Sequence, residues 1–155
     1  MKIGLDSNVL VASVKKLGEP FHDSALELSK RVKDENGSCI GSALVLIEIP
    51  GALASSSNMP IEQIYEVTAS IQEQFNLSIM QFGSYVDLAK DLMFEFRDLK
   101  SKWGIGSADF HHIATSIQEG CDFFVTTDEK HLLRTICREA LEKHIKIINP
   151  AQALE

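Results

Sequence analysis

The stretch Ile3-Gly4-Leu5-Asp6-Ser7-Asn8-Val9-Leu10-Val11-Ala12 decides how the rest of the chain is read. A short apolar run stops at a carboxylate, two capping-type residues follow, and a second apolar run begins. That order predicts a first β-strand whose carboxyl end delivers Asp6, with Ser7 or Asn8 opening a helix. Open α/β sheets bind their ligands beyond the carboxyl ends of the strands. A site is therefore expected around Asp6, built from whatever the later segments bring to the same edge.

Working outward, Leu17-Gly18-Glu19-Pro20 breaks the pattern. Phe21, Ala25, Leu28 and Val32 then recur at helical spacing to about Glu35, and Asn36-Gly37 ends that helix. Ser38-Cys39-Ile40-Gly41 predicts a second strand. Ser42 would cap an apolar helix from Ala43 to Ile49, which Pro50-Gly51 should kink or interrupt. Pro60 suits the first turn of a helix with Ile61, Ile64, Ile71 and Phe75 on one face. Leu77 to Met80 predicts a third strand. Tyr85, Leu88, Ala89, Leu92, Phe96, Leu99 and Trp103 predict one long amphipathic helix, ended by Gly104-Ile105-Gly106. Ser107-Ala108-Asp109 opens another, stopped by Gly120. Phe123 to Thr126 predicts a fourth strand, the segment from Asp128 to about Leu141 is mainly helical, and Ile145 to Ile148 predicts a fifth strand before Asn149-Pro150. Strands alternating with helices argue for a mainly parallel sheet of about five strands in a three-layer α/β/α fold, one domain over residues 1–155.

The net charge of −7 speaks against a broad basic face of the kind that drives phosphate binding, although a metal site can hold phosphates in acidic surroundings. Cys39, Cys121 and Cys137 have no metal-ligand spacing and read as reduced thiols. No apolar run approaches ~20 residues, so no membrane span is expected. Asp6 comes too early for a secretory leader, and a cytoplasmic protein is the expectation.

Four carboxylates are predicted at one rim of this sheet. Asp6 ends strand one, and Asp128 follows strand four within two residues of Thr126. Glu48 lies roughly 9 Å along the helix that leaves strand two. Asp109 stands at the start of the helix that returns to strand four, and the N-terminus of such a helix lies at the strands' carboxyl edge. Glu48 sits within Ala43-Leu44-Val45-Leu46-Ile47 and Ile49, so a surface role is not expected; it should be hydrogen-bonded, paired or metal-bound. Clustered carboxylates repel one another unless a cation joins them, and oxygen-only ligands favour Mg²⁺ or Mn²⁺. Such an ion suits phosphodiester hydrolysis with no covalent nucleophile. Ser7, Asn8 and Thr126 would orient the carboxylates or a metal-bound water. His111-His112 is read as packing or hydrogen-bonding near its helix start, not as a ligand pair.

These residues resemble the PIN-domain family of metal-dependent ribonucleases, especially VapC-like toxins and their prokaryotic relatives. The matching pieces are Leu5-Asp6-Ser7-Asn8-Val9-Leu10, Gly41 to Ile49 with Glu48, Ser107-Ala108-Asp109 to Thr115, and Val125-Thr126-Thr127-Asp128, with Asn149-Pro150 near the end. The resemblance implies Asp6, Glu48, Asp109 and Asp128 as catalytic and metal-binding acids, Mg²⁺ or Mn²⁺ as cofactor, and a sheet ordered 3-2-1-4-5. It also implies cleavage of single-stranded RNA, homodimers, and for VapC-type members a cognate antitoxin. Pro50, just after Glu48, and the long helices before the second and after the third strand depart from the minimal toxin pattern.

Two other readings compete. One is a non-catalytic module of the same fold that binds metal, RNA or a partner. The other is a phosphoryl-transfer enzyme or receiver domain. The first type of the latter would want an Asp two residues after Asp6, where Asn8 stands, and a receiver would want one after strand three, where Gln81-Phe82 stand.

Overall fold

The structure is a computed structural model describing residues 1–155, with every side chain except that of Ser84. Five strands form one parallel sheet: β1 (Lys2–Leu5), β2 (Ser38–Ser42), β3 (Leu77–Met80), β4 (Phe123–Val125) and β5 (Lys146–Ile148), in the spatial order β3-β2-β1-β4-β5. This is the expected order. β1 is central: Gly4 stands opposite Ile40 of β2 on one side and Phe124 of β4 on the other.

The helices are α1 (Ser7–Val14), α2 (His22–Asp34), α3 (Val45–Ser56), α4 (Ile61–Gln74), α5 (Ser84–Glu95), α6 (Arg97–Trp103), α7 (Ser107–Gln118) and α8 (Thr135–Leu141), with a closing 3₁₀ turn at Gln152–Leu154. Alternating strand residues divide them into two layers. Ile3, Leu5, Cys39, Val125 and Ile148 pack with α1 to α4 on one face. Phe124 and Ile147 pack with α5 to α8 on the other. Residues buried on both faces of a parallel sheet explain why its strands read as unbroken apolar runs.

At Gly4 the sheet and α7 approach closely. A Cβ there would lie 2.0 Å from Ser116 Oγ and 2.5 Å from Ser116 Cβ. Only glycine lets α7 press this tightly on β1. All three cysteines are free thiols. Among the described residues, no helix is long and apolar enough to cross a membrane.

Four local expectations are corrected. Pro50 does not interrupt its helix; α3 runs through it to Ser56. The lost N–H would have bonded the carbonyl of Leu46, a residue that is half exposed, where water can replace it. The long helix from Tyr85 to Trp103 is two helices, divided at Phe96 (φ −107°, ψ 36°). The Phe96 ring is buried edge-on to His144, 5.7 Å away, so packing bends a segment that has no Gly or Pro. The segment from Asp128 is helical only from Thr135, because the Asp128 side chain caps a turn instead. β4 ends at Val125, and Thr126 lies beyond it.

Candidate functional site

Asp6 follows β1 directly and is 5 % exposed. Its amide donates to the carbonyl of Val125, 3.0 Å away, which locks the turn-off from β1 to β4. Its Oδ2 accepts the Thr126 hydroxyl at 2.7 Å, and Ser7 Oγ stands 3.4 Å from Oδ1. Thr126 Oγ1 in turn accepts from the Asp128 amide at 3.1 Å and from Asn8 Nδ2 at 3.3 Å. Asn8 Oδ1 accepts the Thr127 amide at 3.1 Å. Ser7, Asn8 and Thr126 thus form a lattice that fixes Asp6 in one orientation.

Asp109 is the third residue of α7. Its Oδ2 accepts the Gly106 amide at 2.6 Å, which satisfies one orphan donor of the helix start. Its other oxygen accepts no hydrogen bond among the described residues. Burial pushes the Asp109 carboxyl up to about 6; the charges of Asp6 and Asp128 add to the rise, against the Gly106 bond and His112. Burial likewise raises Asp6, with Glu48 adding to it and His112 and Thr126 opposing. Asp109 thus feels the charges of Asp6 and Asp128, and Asp6 feels that of Glu48.

Glu48 departs from expectation in its surroundings. Its side chain is 30 % exposed. Val45, Ile49 and Leu53 form the buried stripe of α3, while Leu46 and Ile47 face solvent. The five consecutive apolar residues from Ala43 to Ile47 do not make a helix buried all round. Glu48 is paired, one of the expected outcomes, and its partner is His112: Nε2 lies 2.7 Å from Oε2. The other ring nitrogen, Nδ1, is 2.9 Å from Ser42 Oγ, which also accepts the Leu44 amide at 3.2 Å. Burial opposes charge on both partners. It is outweighed on Glu48 by the His112 bond and charge and by the Ser7 hydroxyl, so its pKa is lowered. On His112 it is outweighed by the Glu48 bond and by the charges of Asp6, Glu48 and Asp109, so its pKa is raised.

His112 hydrogen-bonds near its helix start, as the sequence leads one to expect, but its partner Glu48 was not foreseen. His112 stands three positions after Asp109 and so shares its helix face. That spacing was the available signal. Its neighbour His111 is 6 % exposed, packs on Phe82 with ring centroids 5.2 Å apart, and has no hydrogen-bond partner on either nitrogen.

Asp128 is engaged in its own turn. Oδ1 accepts the amides of Lys130 at 3.2 Å and His131 at 3.1 Å, and His131 Nδ1 lies 3.0 Å from Oδ2. Among the described residues, no three His, Cys, Asp or Glu side chains are gathered tightly enough to cage a metal ion. The donor set nevertheless suits a hard divalent cation. Asp6 is buried and Asp109 half-buried, both carboxyls have a raised pKa with no Lys or Arg paired to them, and each has an oxygen without a firm partner. Mg²⁺ is commonly held by one or two carboxylates with waters completing its shell.

The sequence matches the family described as PIN domain over residues 3–138. No curated protein matches it. Among solved structures it is similar to VapBC2 from Rickettsia felis bound to a DNA fragment from their promoter, at 18 % identity and a TM-score of 0.67 over 96 % of this chain and 98 % of that one. It is also similar to FitAB bound to the IR36 DNA fragment, at 20 % identity and 0.65 over 97 % and 95 % of the two chains. A third is FitAcB from Neisseria gonorrhoeae, at 19 % identity and 0.65 over 97 % and 99 %. At these identities the likeness is one of fold.

Proposed function

This chain belongs to the PIN domain family, and on that premise we propose that it is a Mg²⁺- or Mn²⁺-dependent endoribonuclease acting on single-stranded RNA. The observation that carries this reading is the meeting of buried Asp6 and half-buried Asp109, both of raised pKa, with the charge of Glu48 acting on Asp6 and that of Asp128 on Asp109. Asp6 and Asp109 would hold the ion, with Glu48 and Asp128 completing the site directly or through water. When bound, the ion supplies Lewis acidity toward a water and a bridging phosphate.

The chain's own residues do the positioning. Thr126 holds one oxygen of Asp6 and leaves the other facing the site. The Gly106 amide does the same for Asp109. Ser7, bonded toward both Asp6 and Glu48, stands where it would orient a water between them. His112 braces Glu48 from behind, and His131 braces Asp128.

The test is cleavage of a single-stranded RNA with Mn²⁺ or Mg²⁺. Cleavage should stop with EDTA and in Asp6→Asn, and full cleavage by Asp6→Asn would sink the reading. The structural likeness to VapBC and FitAB proteins supports a toxin role with an antitoxin partner, testable by co-expression with the product of an adjacent small gene. A homodimer belongs to the same proposal, and sedimentation of the purified chain tests it.

One observation favours a second reading, a non-catalytic module that binds metal, RNA or a partner. Glu48 and Asp128 already commit carboxylate oxygens to His112 and His131. Calorimetric Mn²⁺ binding without cleavage of any RNA pool would select it.

A further inference from the structure

The cations of this acidic chain are not spread evenly about the site. Lys90, Met93, Phe94, Arg97 and Lys100 line one open cleft on α5 and α6, continuing across the bend at Phe96. Phe94 is 70 % exposed, in a chain with a core large enough to take it. Arg97 makes no ion pair or hydrogen bond among the described residues, while Lys90 pairs with Asp87 at 2.9 Å and lies near Asp91. The other acids of these helices are engaged elsewhere: Asp98 with Lys102, and Glu95 with Lys143 and His144.

The stripe leads to the acids. Lys100 Nζ donates to Ser107 Oγ at 2.8 Å, and Ser107 opens α7 two residues before Asp109. Just beyond, the Arg134 guanidinium lies 5.6 Å over the ring of Trp103, which is 36 % exposed. Arg134 closes the turn from Asp128 that also carries His131.

We propose that this stripe is the track on which a single-stranded RNA flank enters the site, its phosphates on Lys90, Arg97 and Lys100 and its bases on Phe94 and Trp103. Cations interleaved with exposed rings are how proteins hold single strands without reading their sequence. A protein docking on Phe94 would have to neutralise Arg97 and Lys100, which have no acidic partner among the described residues, whereas a phosphate backbone carries that charge along its whole length. The choice of RNA rests on the nuclease reading above; the binding itself does not require cleavage.

Trp103 is the only tryptophan of the chain and reports on the track directly. A uridine dodecamer titrated into metal-free protein in EDTA at low salt should quench its fluorescence saturably. The logarithm of affinity should fall with the logarithm of salt at a slope of about −2, from ~0.7 per phosphate contact. Arg97→Glu with Lys100→Glu should weaken binding at least tenfold and flatten that slope. Arg97→Gln, a milder change, should weaken it less. Phe94→Ser should weaken binding severalfold with the slope unchanged. In the Mn²⁺ cleavage assay the same variants should raise KM for long RNA, and leave kcat and the cleavage of a trinucleotide alone.

No quenching in EDTA, or unchanged affinity in the charge-reversed protein, overturns the track even where RNA is cleaved. Binding that follows the expected pattern supports the track, and if no metal then brings cleavage, it is the nuclease reading that falls. Altered oligomeric state in Phe94→Ser with unchanged RNA affinity assigns the stripe to a protein interface and overturns the proposal.

Discussion

Asp109 illustrates a conflict between stability and chemistry in a single side chain. Its folded-state pKa of about 6 stands above the ordinary 3.8. The folded chain therefore holds the proton more tightly than the unfolded chain. Stability falls as pH rises from about 4 to about 6 and stays reduced above that window. Asp109→Asn keeps an oxygen for the Gly106 amide but carries no charge. It is expected to raise the melting temperature of metal-free protein at pH 7.5 by about 2–6 °C, with the gain fading below pH 4. Mn²⁺ should raise the melting temperature of the wild type by mass action and leave this variant unmoved. Thermal scans at both pH values check each outcome; a lower melting point for the variant at pH 7.5 would show that the carboxylate stabilises the fold. For His112→Phe the expected effect is opposite. The buried Ser42 hydroxyl and Glu48 lose their ring partner, at about 1–3 kcal/mol, and denaturant unfolding should show it. Asp6 and Asp109 were legible in the sequence because each stands at a local boundary signal, a strand end or a helix start. The His112–Glu48 pair joins α7 to α3, and no local pattern encodes that meeting.

Among the elements, the tight seat of α7 on β1 is the most exposed to test. β1 places Asp6 and α7 places Asp109, so the Gly4–Ser116 contact sets the distance between the two carboxylates. Gly4→Ala must push α7 outward. It should lower the melting temperature by several degrees and weaken Mn²⁺ binding, read by calorimetry. Ser116→Gly removes the opposing Cβ and hydroxyl, and should restore a large part of both in the double variant. Wild-type behaviour of Gly4→Ala would mean that α7 moves freely on the sheet. Element starts and stops were legible wherever Gly, Pro or a capping residue marked them. The break at Phe96 was not, because burial of its ring against His144 bends the chain where the letters favour helix. Pro50 misled in the other direction: a proline near an exposed helix start costs little that water cannot replace.

For the whole molecule, the strand order makes a prediction about where the fold opens. β1 is hydrogen-bonded on both sides and buried from Ile3 to Leu5, while β3 is an edge strand with no fully buried residue. Native-state hydrogen exchange should find the slowest amides in β1 and at the Asp6–Val125 bond, and faster exchange along β3. Equal protection of both strands would mean that the sheet opens as one unit. The sheet order came from the family resemblance; alternation of strands and helices gave only its parallel character. The sequence shows cation clusters at Lys15-Lys16, Lys30-Arg31-Lys33 and Lys100-Lys102 but not which of them lies by the site, since only folding separates the faces over which a charge of −7 averages.

β4 inserts beside β1, and so Thr126 clasps an aspartate made 120 residues earlier. No fragment of the polymer carries a working pocket in miniature. Parting β4 from β1 would release the Thr126 clasp and the Asp128 turn from Asp6 in one event.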